Sequence, residues 1–214
     1  MAFINIHTHS QTIPTTGVIA IRSYLQTEWD SMDCQTLFSV GLHPCYPLQH
    51  DGLLHLNDWA SHPNCFLIGE CGLDKFSSVP ISVQQEFFIA QIQLAQRLYK
   101  PMVIHCVRAF NELLLLKKQY APKDKWLIHG FNKHPLVAQQ LVAQGCFISF
   151  GSAIFRQINA IAALQTIPSR YIFLETDTDN ILIDEVYERA AALLQISVLE
   201  LQQLITENYM NLIG

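Results

Sequence analysis

Short apolar, β-branched runs alternate along the chain with longer stretches whose apolar residues recur every three or four positions. The short runs predict strands at Phe3–His7, Val18–Tyr24, Leu37–Leu42, Phe66–Cys71, Met102–Cys106, Trp126–His129, Cys146–Phe150 and Tyr171–Glu175. Between several of them the period lengthens to that of a helix. Val83–Leu98 carries Phe87, Phe88, Ile92, Leu94, Ala95 and Leu98 in one broad apolar stripe, as a helix laid on a core does. Asn111–Gln119, Leu136–Ala143 and Ile158–Leu164 read as shorter helices. Ser197 and Glu200 make a capping box ahead of Leu201, Leu204 and Ile205, so a helix starts there. The stretch from Gln26 to Gln35 has room for only about two helical turns.

Strand–helix alternation predicts an α/β fold with a parallel sheet. Strands of this number in 214 residues suit a compact (β/α)8 TIM barrel, a fold whose size range begins near ~200 residues. A doubly wound open sheet is the alternative. The barrel is preferred because metal-ligand residue types end strands that are not neighbours in sequence, and a barrel gathers residues from many strand ends at one face. The whole chain, residues 1–214, reads as one domain.

Half the residues are apolar and 14% are charged, which supplies a sizeable core. The formal charge is −5, and the 13 Lys and Arg form no run or stripe. That argues against tight, non-specific duplex binding through many phosphate contacts. A small phosphate-bearing substrate stays possible, because bound cations can supply positive charge. No basic, then apolar, leader opens the chain, and no run reaches the ~18 apolar residues that a membrane span needs. The six cysteines form no C-x-x-C pair; they read as reduced thiols of a cytoplasmic protein. Cys71 and Cys106 each follow a candidate ligand, and strand alternation turns them away from the ligand face. No obligate protein partner is evident.

The chemistry lies at the strand ends. His7 and His9 are two apart at the end of the first strand, so both imidazoles leave one face together. Glu70 follows an apolar run between Gly69 and Gly72; a buried carboxylate there is costly unless it is paired or ligating. His105 and His129 are each the first polar residue after an apolar strand, and Asp177 closes another. Glu175 shares the face of Asp177; Asp177 lies nearer the open end. Four imidazoles and two carboxylates are enough for two divalent cations ~3.5–4 Å apart when one carboxylate bridges them, and Glu70 is the natural bridge. The mixed nitrogen and oxygen donors suit Zn²⁺, Mn²⁺, Fe²⁺ or Ni²⁺, with Mg²⁺ favouring more oxygen. A cation-bound water is then available as hydroxide near neutral pH, and Asp177 can take its proton. Secondary candidates are His43, which ends a strand, and Arg108 and Lys133, which follow ligand histidines and could meet a substrate phosphate. His50, His55, His62 and His134 read as surface residues, and Asp74 as a loop residue without a role.

In order along nearly the whole chain stand His7-Thr8-His9, Gly41-Leu42-His43-Pro44, Ile68-Gly69-Glu70-Cys71-Gly72-Leu73-Asp74, a Gln-rich helix from Gln84 to Leu98, Val103-Ile104-His105-Cys106, Ile128-His129-Gly130-Phe131, Leu174-Glu175-Thr176-Asp177, Val186-Tyr187-Glu188-Arg189-Ala190-Ala191 and Thr206-Glu207-Asn208-Tyr209. Taken together they resemble the TatD-type metal-dependent hydrolases, the TatD deoxyribonuclease family. The resemblance implies a TIM barrel of the metallo-dependent hydrolase type. It implies one metal on His7, His9 and Asp177, another on His105 and His129, and Glu70 joining them, with Asp177 and Glu70 catalytic. Against that pattern, Asn5 stands where the family often has Asp. The chain is shorter, with brief rim segments after His9 and over Thr178–Ile183, where the family's Pro and Arg are missing.

The leading expectation is a metal-dependent phosphodiesterase, a deoxyribonuclease of exonuclease type, acting on DNA or a small phosphate ester. An amide or carboxyl-ester hydrolase on the same site is the alternative, and a non-catalytic binding barrel is the alternative of another class.

Overall fold

The computed structural model describes residues 1–12 and 16–214. The strands are β1 (Phe3–Thr8), β2 (Val18–Tyr24), β3 (Phe38–Val40), β4 (Cys65–Asp74), β5 (Met102–Val107), β6 (Trp126–Ile128), β7 (Phe147–Phe150) and β8 (Ile172–Leu174). The helices are α1 (His50–Ala60), α2 (Ile81–Leu98), α3 (Phe110–Tyr120), α4 (Pro135–Ala143), α5 (Ile158–Thr166), α6 (Ile183–Leu194) and α7 (Val198–Ile213). The strands form one eight-stranded sheet in sequence order. The β2–β3, β3–β4, β4–β5 and β7–β8 pairs are parallel. Thr8 at the end of β1 bridges Asp177, just beyond β8, also in parallel. That is the strand order of the expected (β/α)8 barrel. No helix among the described residues is long and apolar enough to cross a membrane.

The described residues gather into two compact units, one of Met1–Ile21 with Ile128–Gly214, the other of Arg22–Leu127. In the first, Tyr187 of α6 is fully buried, and its hydroxyl accepts from Ile4 N and donates to Ile4 O, tying α6 to β1. The Asn208 amide of α7 donates to the carbonyls of Ser169 and Ile172 at the entry to β8. The capping box expected at Ser197 is present: Glu200 N donates to Ser197 Oγ, and Ser197 N donates to the Glu200 carboxylate.

In the second unit α2 lies against β4 with Phe87, Phe88, Ile92, Leu94 and Ala95 of the predicted stripe buried and Leu98 at its end half-buried. The Phe88 ring meets that of fully buried Trp126 at a centroid spacing of 5.3 Å, and burial of side chains of this size contributes about 1.5–3 kcal/mol each. Two buried glutamines of α2 hold the sheet by its backbone: Gln91 accepts from Leu42 N and donates to Leu42 O, and Gln84 does the same for Asp74. The backbone of β4 comes so near β5 that only glycine fits at two points. A Cβ at Gly69 would lie 2.1 Å from Val103 O, and one at Gly72 2.0 Å from His105 O, both at positive φ.

Several expectations are corrected. β4 does not end at Cys71; it runs on to Asp74, which is therefore a strand residue and not a loop residue. α1 was not anticipated: an early Gly52 and scattered polar positions hide its stripe, of which Leu56 and Ala60 are buried. The Gln26–Gln35 stretch holds only a single short turn at Trp29–Ser31. His129 lies just past β6 rather than within it. His50, His55 and His134 are exposed as expected, but His62 is half-buried, its ring 5.5 Å from that of Phe38. Of the brief segment after His9, residues 13–15 lie outside the described residues.

Candidate functional site

Each unit carries its own cluster of imidazoles and carboxylates. In the first, β1 delivers His7, fully buried, and His9 leaves just beyond it with 15% of its side chain exposed. Their rings stand 5.0 Å apart and nearly perpendicular, and the His129 ring lies 4.3 Å from that of His7. Asp177 is fastened to β1 through its backbone: Asp177 N donates to His7 O, and His9 N donates to Asp177 O. Its φ of 51° lies in the left-handed region, which aspartate tolerates better than most residues. Its Oδ1 lies 3.6 Å from His7 Nε2 and 3.8 Å from His9 Nε2. One donor atom each from His7, His129 and Asp177 all fall within 4.8 Å of one another.

Glu175 is separated from Asp177 in environment. It is fully buried, and its Oε1 accepts from Gly130 N at 2.5 Å. Burial raises its pKa; the nearby His129 and His7 pull the other way, and the Asp177 charge adds to the rise. The side chain of Asp177 is 32% exposed, so Asp177 is the carboxylate that solvent and a substrate can reach. Asn5 does not bond a histidine. It is buried and paired with Thr176, donating through Nδ2 to Oγ1 at 2.8 Å and accepting from Thr176 N at 3.1 Å. Thr176 in turn donates to Thr8 Oγ1 at 2.9 Å, so Asn5 braces the backbone that presents Asp177.

In the second unit β4 presents Glu70, 4% exposed, and β5 presents His105. Glu70 Oε1 lies 2.9 Å from both His105 Nδ1 and His43 Nε2. The other His105 nitrogen, Nε2, lies 3.0 Å from Asp74 Oδ2, and Cys45 Sγ donates to that same oxygen at 3.3 Å. His43 is held by Gln26, which takes its N–H and gives to its carbonyl. Burial alone would lower the pKa of His105, but hydrogen bonds with Cys45, Glu70 and Asp74 and the Glu70 charge raise it to about 10. For Asp74, burial opposes ionisation, yet the His105 bond, the Phe76 amide and the Cys45 thiol hold its pKa below the usual carboxylate range. One donor atom each from His43, Cys45 and His105 lie within 4.8 Å of one another.

The first unit thus brings together His7, His9, His129 and Asp177, and the second Glu70, His105 and His43. Arg108 is exposed, its guanidinium 4.4 Å from the centre of the Phe76 ring, and Lys133 is half-buried. Sequence reasoning missed Cys45 and Asp74. Asp74 was within reach: it is four residues from Glu70, in phase with it on a strand. Cys45 lies two past His43, across Pro44.

The family model for TatD related DNase matches residues 20–214. The chain belongs to that family. His7 and His9 precede the matched stretch. The uncharacterized metal-dependent hydrolase YcfH of Escherichia coli K12 is 28% identical over 193 residues, covering 82% of this chain and 73% of its own length. The human 3'-5' RNA nuclease TATDN2 is 35% identical over 132 residues, covering 58% of this chain and 17% of its own. The crystal structure of YJJV, a TatD homolog from E. coli K12, superposes with a TM-score of 0.83 at 21% identity, covering 99% of this chain and 97% of that one. It shows the barrel fold. As a member of this family the chain is an enzyme, a metal-dependent hydrolase.

Proposed function

We propose that this enzyme is a phosphodiesterase acting on nucleic acid, with DNA as the substrate to try first. The ligands proposed for two divalent cations are His7, His9, His129 and Asp177 of the first unit and Glu70 and His105 of the second. The observation that carries the reading is the close set of His7, His129 and Asp177, whose donor atoms lie within 4.8 Å of one another. A set of nitrogen and carboxylate donors fits Zn²⁺, Mn²⁺, Fe²⁺ or Ni²⁺, and less well Mg²⁺. Bound cations of this kind lower the pKa of a water toward ~7 and neutralise charge on a phosphoryl group.

The chain's own residues supply the rest. Asp177, reachable from solvent, accepts the proton of the attacking water. Glu175, buried and bonded to Gly130 N, fixes the backbone beside His129. His43 steadies Glu70 from one side while His105 holds it from the other. Arg108 is available to a substrate phosphate. The six cysteines are free thiols, which suits a reducing compartment, and we place the enzyme in the cytoplasm.

The test is hydrolysis of end-labelled DNA beside a panel of amides and lactones, in EDTA, Mg²⁺ and Mn²⁺. The expected result is shortening of DNA with Mn²⁺ and none in EDTA. Cleavage undiminished by EDTA, or turnover confined to the amide and lactone panel, overturns the reading.

A further inference from the structure

We infer that His43, Cys45, Asp74 and His105 form a sulfur-containing site for a zinc-class cation. The three ligand atoms of His43, Cys45 and His105 lie within 4.8 Å of one another. Asp74 Oδ2 stands between two of these residues, 3.3 Å from Cys45 Sγ and 3.0 Å from His105 Nε2. Donors around a tetrahedral Zn²⁺ with bonds of about 2.0–2.3 Å are about 3.5 Å apart, so the Cys45–Asp74–His105 side of the set already has that spacing.

Cys45 differs from the other thiols. Cys65, Cys71, Cys106 and Cys146 are buried, as small core residues are, whereas Cys45 is exposed and aimed at a carboxylate beside an imidazole. The turn that carries it is fixed: Cys45 N donates to His43 Nδ1, and Gln26 grips His43 by both backbone groups. The cation takes the place of the thiol proton, which passes to solvent. A thiolate donor favours Zn²⁺, Cd²⁺ or Co²⁺ and disfavours Mg²⁺ and Mn²⁺. In this it differs from the nitrogen and oxygen ligands proposed for hydrolysis, although it shares His105 with them. His105 can meet such an ion through Nε2 with its Nδ1 still on Glu70, whereas His43, whose Nδ1 accepts from Cys45 N, has to exchange Glu70 for the ion at Nε2. A zinc-class ion here therefore draws His43 away from Glu70 and opposes Mn²⁺-driven hydrolysis, a consequence that rests on the function proposed above.

The test is Co²⁺ titration of the metal-free full chain and of Cys45→Ser, followed by absorption. Wild type is expected to show visible d–d bands together with a near-ultraviolet thiolate-to-cobalt band, and Cys45→Ser to lose the latter. Zn²⁺ affinity falls by at least about tenfold in the variant, while Mn²⁺ affinity stays unchanged. Visible bands without the thiolate band, or a thiolate band that survives in Cys45→Ser, overturn this site and leave the nitrogen–oxygen ligands standing. Absence of any cobalt binding overturns both. Should the variant fail to fold, wild type still decides: Zn²⁺ must protect Cys45 from iodoacetamide, read by peptide mass spectrometry, and unprotected labelling overturns the site.

Discussion

The two clusters are built from the same residue types and are held in opposite ways. In the first, imidazoles pack ring against ring, and Asp177 stands 3.6 and 3.8 Å from His7 and His9, too far for hydrogen bonds. The backbone holds the arrangement, through Asp177 N to His7 O, His9 N to Asp177 O and the Asn5–Thr176–Thr8 chain beneath. In the second, side chains hold one another: Glu70, His43, His105, Asp74 and Cys45 are linked by contacts of 2.9–3.3 Å. A cluster fixed by its backbone keeps its shape when one donor is altered. A cluster fixed by its own charges and protons reorganises when any member changes.

The largest effect separates chemistry from scaffolding in the first cluster. Asp177→Asn keeps a residue type that tolerates left-handed φ, so the fold and its circular dichroism should persist. Removal of the proton acceptor should lower kcat by about 10²–10⁴-fold; near-normal turnover would remove Asp177 from its role. Next comes the scaffold of the second cluster. Gly72→Ala places a Cβ 2.0 Å from His105 O at a positive φ of 143°, and the resulting strain and displacement should cost about 2–4 kcal/mol, measured by urea unfolding. An Ala variant as stable as wild type would mean that β4 and β5 are not pressed together there. A smaller effect is expected from Asn5→Ala. It leaves every proposed ligand in place but frees Thr176, and should weaken metal binding by about tenfold, as loss of a supporting hydrogen bond does, with the titration curve of the second cluster's Co²⁺–thiolate band unchanged.

The same contrast explains what the sequence could tell. The first cluster was legible because it obeys strand alternation: His7 and His9 are two apart, and His129 is the first polar residue after an apolar run. α2 was legible for the same reason, its buried face repeating with helical period. The second cluster was half legible. Glu70 and His105 follow the strand-end rule, but Cys45 enters from a turn, where no periodicity applies. Asp74 was hidden by Gly72, which reads as a loop signal and serves instead as the point where β4 closes on β5. α1 was hidden because Gly52 and the polar His50, His55, Asn57 and Asp58 dilute its stripe. Asn5 shows the limit of analogy: comparison with the family marks the position as unusual, and only the fold brings Thr176, far along the chain, against it.

The smallest expected effect lies just outside the second cluster and bounds how far its electrostatics extend. Lys75, one residue past Asp74, meets Glu112 in the first turn of α3 at 2.5 Å, with 42% and 30% of the two side chains exposed. The Lys75 hydrogen bond, with the Glu112 backbone assisting, holds the pKa of Glu112 below its usual value. A carboxylate with a lowered folded-state pKa stabilises the fold above the unfolded value of about 4.3, and this stability is lost as pH falls through the folded-state pKa. The pair is partly solvated, so screening limits it to at most about 0.5 kcal/mol. Glu112→Gln should therefore shift the urea midpoint slightly at pH 7 and progressively less as pH falls below about 4.3, and 1 M NaCl should erase the difference. A loss several times larger at pH 7 would show that Lys75 also steadies Asp74, and that the charge network of the second cluster reaches α3.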